Sequence, residues 1–185
     1  MLQPFFLDID LYCSAMTEKL EQEIIEVLQR SEVFVGLHDD DLTKIALLPS
    51  IRFETFEVGE IISAAGDTAE NLYILVEGQV HLNLLIEFEK NNLAKEITVD
   101  TVHQGSVFGW SALVQPYAFS RTSICTEKSK VLAISGKELM GLMDSDECIG
   151  YEVMRSIACV IASRLRTPNN YFWAELLKTR NGAIN

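Results

Sequence analysis

The segment Phe108-Gly109-Trp110-Ser111-Ala112-Leu113-Val114, followed by Ser120-Arg121-Thr122-Ser123, holds the residue types that an anion site needs. Gly109 permits a tight turn that a side chain would resist. The residues after it read as the start of a short helix, where unpaired N–H groups and a positive dipole end favour an anion. Arg121 then returns on a strand, and its planar fork suits a bidentate, charge-assisted contact to phosphate or carboxylate. Hydroxyls follow directly, on Thr122 and Ser123. The expected ligand-binding set is Phe108, Gly109, Trp110, Ser111, Ala112, Arg121, Thr122 and Ser123. Taken alone, Arg121 would read better as one half of an ordinary surface ion pair; the surrounding cassette favours an anion-facing role.

Other chemistries find less support. His38, His81 and His103 are scattered, and neither His81-Leu82-Asn83 nor Val102-His103-Gln104 supplies the clustered ligands of a metal-dependent cupin enzyme. A haem site would require a ligating Cys or His near the turn; Cys125 is near, but Ile124 and Thr126 beside it read as ordinary strand. The four cysteines, Cys13, Cys125, Cys148 and Cys159, form no CxxC pair, and buried free thiols are expected. No nucleophile–base arrangement or carboxylate pair stands out, so catalysis is not expected.

Glycine-punctuated β-runs must position the anion turn. Val58-Gly59-Glu60, Ala65-Gly66-Asp67, Glu77-Gly78-Gln79 and Gln104-Gly105-Ser106 supply turns between them. The runs are Arg52–Phe56, Glu60–Ser63, Leu72–Val76, Gln79–Ile86, Glu96–Val102, Ser123–Thr126 and Lys130–Ile134, the spacing of a sandwich, jelly roll or roll. Polar residues 87–95 read as a hairpin tip. Helical periodicity precedes the runs, over 14–30 with Ser14 or Thr17 as cap, and in a short helix from Asp39 or Asp40 that Pro49 ends. It returns in a short helix with Leu139, Leu142 and Met143. A longer helix carries Ile149, Val153, Ile157, Val160, Ile161 and Leu165 on one side and Arg155, Arg164 and Arg166 toward its C-terminal half. Thr167-Pro168 interrupts that helix and reads as the start of another, over 168–179.

At 185 residues the chain fits one domain with helical additions, long enough to bury a core without disulfides or metal. Its 48% hydrophobic and 23% charged residues are those of a globular protein. A net charge of −12 argues against a broad nucleic-acid or anionic-membrane face. No basic flank precedes Phe5-Phe6-Leu7, and nothing approaches a membrane span, so a cytoplasmic protein is expected.

Residues ~31–166 resemble a cyclic nucleotide-binding domain of the catabolite activator protein (Crp/Fnr) type. The resemblance rests on Val58-Gly59-Glu60-Ile61-Ile62, Gly66-Asp67, Leu72-Tyr73-Ile74-Leu75-Val76-Glu77-Gly78-Gln79-Val80, Gly105-Ser106-Val107-Phe108-Gly109, Ala112-Leu113 and Arg121, in family order. It implies a mainly β fold, a double-stranded β-helix (β-roll or jelly roll), with N-terminal helices and a C-terminal helical lid or dimer helix. The implied division is 1–30 helical extension, 31–145 roll and 146–185 C-terminal helices.

By that resemblance the cyclic phosphate of cAMP or cGMP would sit on Arg121, on the Ser111 and Ala112 amides and on the Thr122 hydroxyl. The family's ribose-binding glutamate should follow Gly109, and Trp110 stands there instead. An indole has one donor and no acceptor, so it cannot receive the ribose 2′-OH; it either stacks on a ring or fills the pocket. The loop from Val114 to Arg121, with Pro116, Tyr117 and Phe119, is unusually aromatic. A base contact would fall near Thr167–Asn170, with Asn169 or Asn170 as donors. The face from Ile149 to Leu165 either forms a homodimer seam or packs on its own roll. Only Lys178 and Arg180 are basic after Arg166, so a helix-turn-helix and direct DNA binding are not expected. The expected function is a regulatory module that senses a cyclic nucleotide or other small anion and signals through a protein partner or dimer. The alternative is a degenerate, non-binding roll used for interaction or dimerisation.

Overall fold

The computed structural model describes residues 7–88 and 93–166. In chain order they form α1 (Leu7–Arg30), α2 (Asp39–Ala46), β1 (Arg52–Phe56), β2 (Ile61–Ser63), β3 (Asn71–Glu77), β4 (Val80–Phe88), β5 (Leu93–Val102) and β6 (Val107–Phe108). A 3-10 turn (Trp110–Leu113), β7 (Thr122–Cys125), β8 (Ser129–Ser135), α3 (Gly136–Ser145) and α4 (Glu147–Arg166) follow. The strands pair antiparallel in two sheets, in the orders β1-β8-β3-β6 and β2-β7-β4-β5. This is the expected jelly roll with flanking helices.

Side-chain alternation decides where the two cores lie. On β3, Tyr73 and Leu75 point into the roll; on β8, Val131 and Ala133 do the same, meeting Val80, Leu82, Val102 and Phe108. The intervening residues, Leu72, Ile74, Leu132 and Ile134, face outward and are fully buried under the helices. Both faces of this strand pair are therefore dry, which is why Leu72–Val76 and Val131–Ile134 read as unbroken apolar runs rather than alternating ones. The outer core is completed by Ile24 and Leu28 of α1, Leu42 and Ile45 of α2, Leu139 of α3 and Ile149, Val153, Ile157 and Val160 of α4.

Several expectations are corrected. α1 starts at Leu7, so Ser14 and Thr17 lie inside it rather than at its start. β4 and β5 pair antiparallel as the expected hairpin, with strand extending to Phe88 and from Leu93 into both ends of the 87–95 stretch. β6 is too short for its periodicity to show, and Trp110–Leu113 coils as a single 3-10 turn. The α4 face, expected either as a dimer seam or as packing on its own roll, packs within the chain at Ile149 and Val153, which are fully buried against the outer core. Of the cysteines, Cys125 is buried, but Cys148 and Cys159 are exposed on α4; the Cys13 side chain lies outside the described set. The expected break at Thr167-Pro168, the helix over 168–179 and Asn169 and Asn170 also lie outside the described residues.

No helix among the described residues is long and apolar enough to cross a membrane, and no group of three or more His, Cys, Asp or Glu among them could hold a metal.

Candidate functional site: the 108–123 cassette

The turn between β6 and the 3-10 segment is built around Gly109. Its φ of +76° lies in the left-handed region, and an added Cβ would stand 2.9 Å from the Asn71 carbonyl and 3.1 Å from the Tyr73 ring. Glycine is thus required twice, by conformation and by space. Phe108, just before it, is fully buried and stacks on Tyr73 with centroids 5.1 Å apart. The aromatic loop after Val114 is bound to the β2–β3 loop by backbone bonds: Ala69 N–H to Tyr117 O, Phe119 N–H to Asp67 O, and Gly66 N–H to Phe119 O, at 2.8, 2.9 and 2.8 Å. Phe119 is thereby fixed over the cassette, 8% exposed.

A small cavity of about 20 Å³ lies within this frame, walled by Leu82, Gly109, Trp110, Ser111, Phe119 and Arg121, with Ser120 and Ser123 completing the lining. Five of the eight expected residues line it, Gly109, Trp110, Ser111, Arg121 and Ser123, while Phe108, Ala112 and Thr122 do not. Arg121 is half-buried and makes no ion pair or side-chain hydrogen bond among the described residues. Burial lowers the affinity of its guanidinium for the proton, the nearby Arg164 adds to that, and Asp100 works in the opposite direction. Arginine remains charged through such a shift, so the cavity carries a cation that no direct ion pair holds among the described residues.

The hydroxyls are more committed than their sequence positions suggest. Thr122 Oγ1 accepts the Ala65 N–H at 3.1 Å, and Ser123 Oγ is paired with Ser63 Oγ at 2.8 Å inside the roll. Each bond pins β7 to the β2 side. The Ala112 N–H is given to the Gly109 carbonyl at 3.0 Å, and its side chain is buried against Gly136. Ala112 therefore shapes the turn, and its amide is already engaged there. Ser111 lines the cavity.

Trp110 is half-buried, packs against the outer core and still forms part of the cavity wall. The guanidinium of Arg164, from the last turns of α4, lies 4.8 Å from the centroid of its ring. Arg164 Nη2 donates to the Val107 carbonyl at 2.7 Å and to Glu32 Oε1 at 3.1 Å, while Nε faces Asp100 Oδ2 at 3.4 Å. Glu32 Oε1 also accepts the Val107 N–H at 2.9 Å. Glu32, Asp100 and Arg164 were not legible as site residues. They come from three distant parts of the chain, and Arg164 shows in the sequence only as a basic residue suited to a helix C-terminus.

A wider groove of about 710 Å³ lies beyond the 3-10 turn, with Arg52, Asn71, Tyr117, Lys137 and Met140 in its lining. Its Glu70, Lys137 and Asp144 are exposed. An exposed charge is already solvated and gains little from a ligand. The half-buried, unpaired Arg121 makes the cassette the stronger candidate.

Residues 53–146 match the family model described as "Cyclic nucleotide-binding domain", about half of the chain. The chain belongs to the cyclic nucleotide-binding domain family. It is 27% identical over 150 residues to the CRP-like cAMP-activated global transcriptional regulator of Mycobacterium tuberculosis, covering 78% of this chain and 60% of that protein. It is 39% identical over 64 residues to the global nitrogen regulator of Synechococcus elongatus, covering 35% of this chain and 27% of that one. Both curated relatives are thus longer than the part this chain spans. A crystal structure from Geobacter metallireducens, assigned as a cyclic nucleotide-binding protein, superposes with a TM-score of 0.63 at 29% identity. That likeness covers 76% of this chain and 96% of the other. In this cyclic nucleotide-binding domain the cassette holds Arg121, and an indole, Trp110, directly follows Gly109.

Proposed function

We propose that this chain is a regulatory, non-catalytic sensor whose cassette seats an anionic ligand, a cyclic nucleotide or another small anion, on Arg121. Occupancy is passed through α4 to a protein partner or a second copy rather than to DNA directly. The carrying observation is the half-buried Arg121 guanidinium, which lines the cavity with no direct ion pair or side-chain hydrogen bond of its own among the described residues. Ser111 and the spare hydroxyl valences of Thr122 and Ser123 supplement it. The relative named as cAMP-activated supports the nucleotide class. The proposed setting is a reducing cytoplasm, where Cys148 and Cys159 stay thiols. The proposed division is an extension over 1–30, a roll over 31–145 and C-terminal helices over 146–185.

Titration calorimetry with cyclic AMP, cyclic GMP, cyclic dinucleotides and inorganic phosphate tests this. Saturable binding of at least one is expected, weakened about 10- to 100-fold in Arg121→Ala, since hydrogen bonds to a charged group contribute about 1.5–3 kcal/mol. Binding that ignores Arg121 would sink the reading. A second reading has its own support: the cavity is only about 20 Å³ and Trp110 packs on the core. In that reading the roll binds nothing small and serves as an interaction or dimerisation module; silence toward every anion tested would favour it.

A further inference from the structure

The cavity beside Arg121, at about 20 Å³, is far below the size of a nucleoside pocket. A single water needs about 10–15 Å³ of such space, and drug-sized ligands occupy clefts of about 300–1,000 Å³. What closes it on one side is the Trp110 indole, and the indole is not loose. Arg164 lies over its ring at 4.8 Å, an attractive geometry for a cation on a π-face. The guanidinium is anchored in turn, only 15% exposed, by the Val107 carbonyl, Glu32 and Asp100. Trp110, Val107, Glu32, Asp100 and Arg164 thus form one clamp between the cassette and the end of α4.

The clamp is incompletely satisfied. Arg164 Nη1 and Asp100 Oδ2 are buried without a hydrogen-bond partner among the described residues. A partly satisfied buried network is held in place but is costly to keep, so modest competition can rearrange it. Asp100 also faces Arg121 electrostatically, so its carboxylate is shared between the seat's cation and the clamp's.

We propose that Arg164 is the specificity-determining residue of this cassette: by holding Trp110 across the cavity it restricts the seat to compact oxyanions of the phosphate or sulfate type, which reach the half-exposed Arg121 from the cavity's open side, and a nucleotide enters only when the end of α4 lets go. The proposal rests on the reading of Arg121 as an anion seat. It assigns Arg164 a positioning role, since Arg164 does not line the cavity and acts through Trp110.

The test uses the full chain, with inorganic phosphate and cyclic AMP as probes in calorimetry. Arg164→Met keeps the apolar stem and removes the cation. Arg164→Lys keeps a charge but loses the planar fork, and it guards against a folding defect in the first variant. The wild type is expected to bind phosphate at least tenfold more tightly than cyclic AMP. Arg164→Met is expected to strengthen cyclic AMP binding at least tenfold while phosphate binding changes less than threefold, with Arg164→Lys in between. A second readout follows the clamp itself. With Trp173 replaced by phenylalanine, Trp110 is the remaining tryptophan, and its quenching by acrylamide should rise at least twofold in Arg164→Met. A wild type that prefers cyclic AMP, or Arg164 variants that alter neither preference nor quenching, would overturn the proposal and leave the anion seat standing. Absence of any Arg121-dependent anion binding in all three proteins would instead overturn the seat, and the proposal with it.

Discussion

Gly109 and Trp110, adjacent in sequence, show what single residues contribute. Gly109 holds a left-handed turn with backbone and ring atoms where a side chain would go. Gly109→Ala should destabilise the fold by at least about 1–2 kcal/mol, the cost of a left-handed non-glycine residue before the overlap with Asn71 is counted. Denaturant unfolding measures this; an unchanged midpoint would mean that the turn relaxes freely. That requirement was visible in the sequence because a glycine before a helix start is a local signal. The fate of Trp110 was not. An indole tells its donor inventory but not its direction, and both alternatives, ring platform and pocket filler, remained open until Arg164 was found over its face. Thr122 and Ser123 teach the same lesson: a hydroxyl's position in the chain was legible, while its partners Ala65 and Ser63, some sixty residues away, were not.

At the scale of elements, β3 and β8 were found almost to the residue, because unbroken apolar runs fill them and Gly78 ends the first. β6 was missed since two residues carry no period. α4 was seen as an amphipathic helix, but its apolar stripe could not say which surface it covers. The structure assigns that stripe to the chain's own outer core, and this has a measurable consequence. Ile149→Ala should cost about 2–5 kcal/mol, as truncation of a fully buried isoleucine does, and should leave the oligomeric state unchanged. Chemical denaturation and sedimentation check the two halves of the statement. Dissociation of an oligomer in this variant, with little loss of stability, would show that Ile149 faces a partner. The outward surface of α4 carries Tyr151, 66% exposed, and Met154, 39% exposed; any contact with a second copy through this helix has these residues to use.

Over the whole molecule, the helices are joined to one another by polar contacts at the rim as well as by the outer core. Lys44 of α2 bonds Asp146, between α3 and α4, at 2.8 Å, and Asp146 also accepts the Ile149 N–H at 3.3 Å. The Lys44 ammonium first, then the backbone N–H groups of Ile149 and Cys148, hold the Asp146 carboxyl below its ordinary value of 3.8. A depressed folded-state value means stability that is present above the unfolded value and is lost as pH falls through the folded one. Asp146→Asn should therefore lower stability at neutral pH and reduce the loss that the wild type shows below about pH 4. Thermal melts from pH 2 to 7 would reveal this; parallel curves would remove Asp146 from the acid response. Because the pair is solvent-exposed, the effect should shrink in high salt.

The strand pair buried on both faces also limits how the roll can be reused. β3 and β8 belong equally to the inner core and to the core beneath the helices. Separated from α1, α2 and α4, the sheet would present Leu72, Ile74, Leu132 and Ile134 side by side to water, a contiguous sticky patch of the kind that drives self-association. The roll is therefore not a portable cartridge: when it is transplanted into another chain, its helices must travel with it, or the host must supply an apolar cover of the same shape.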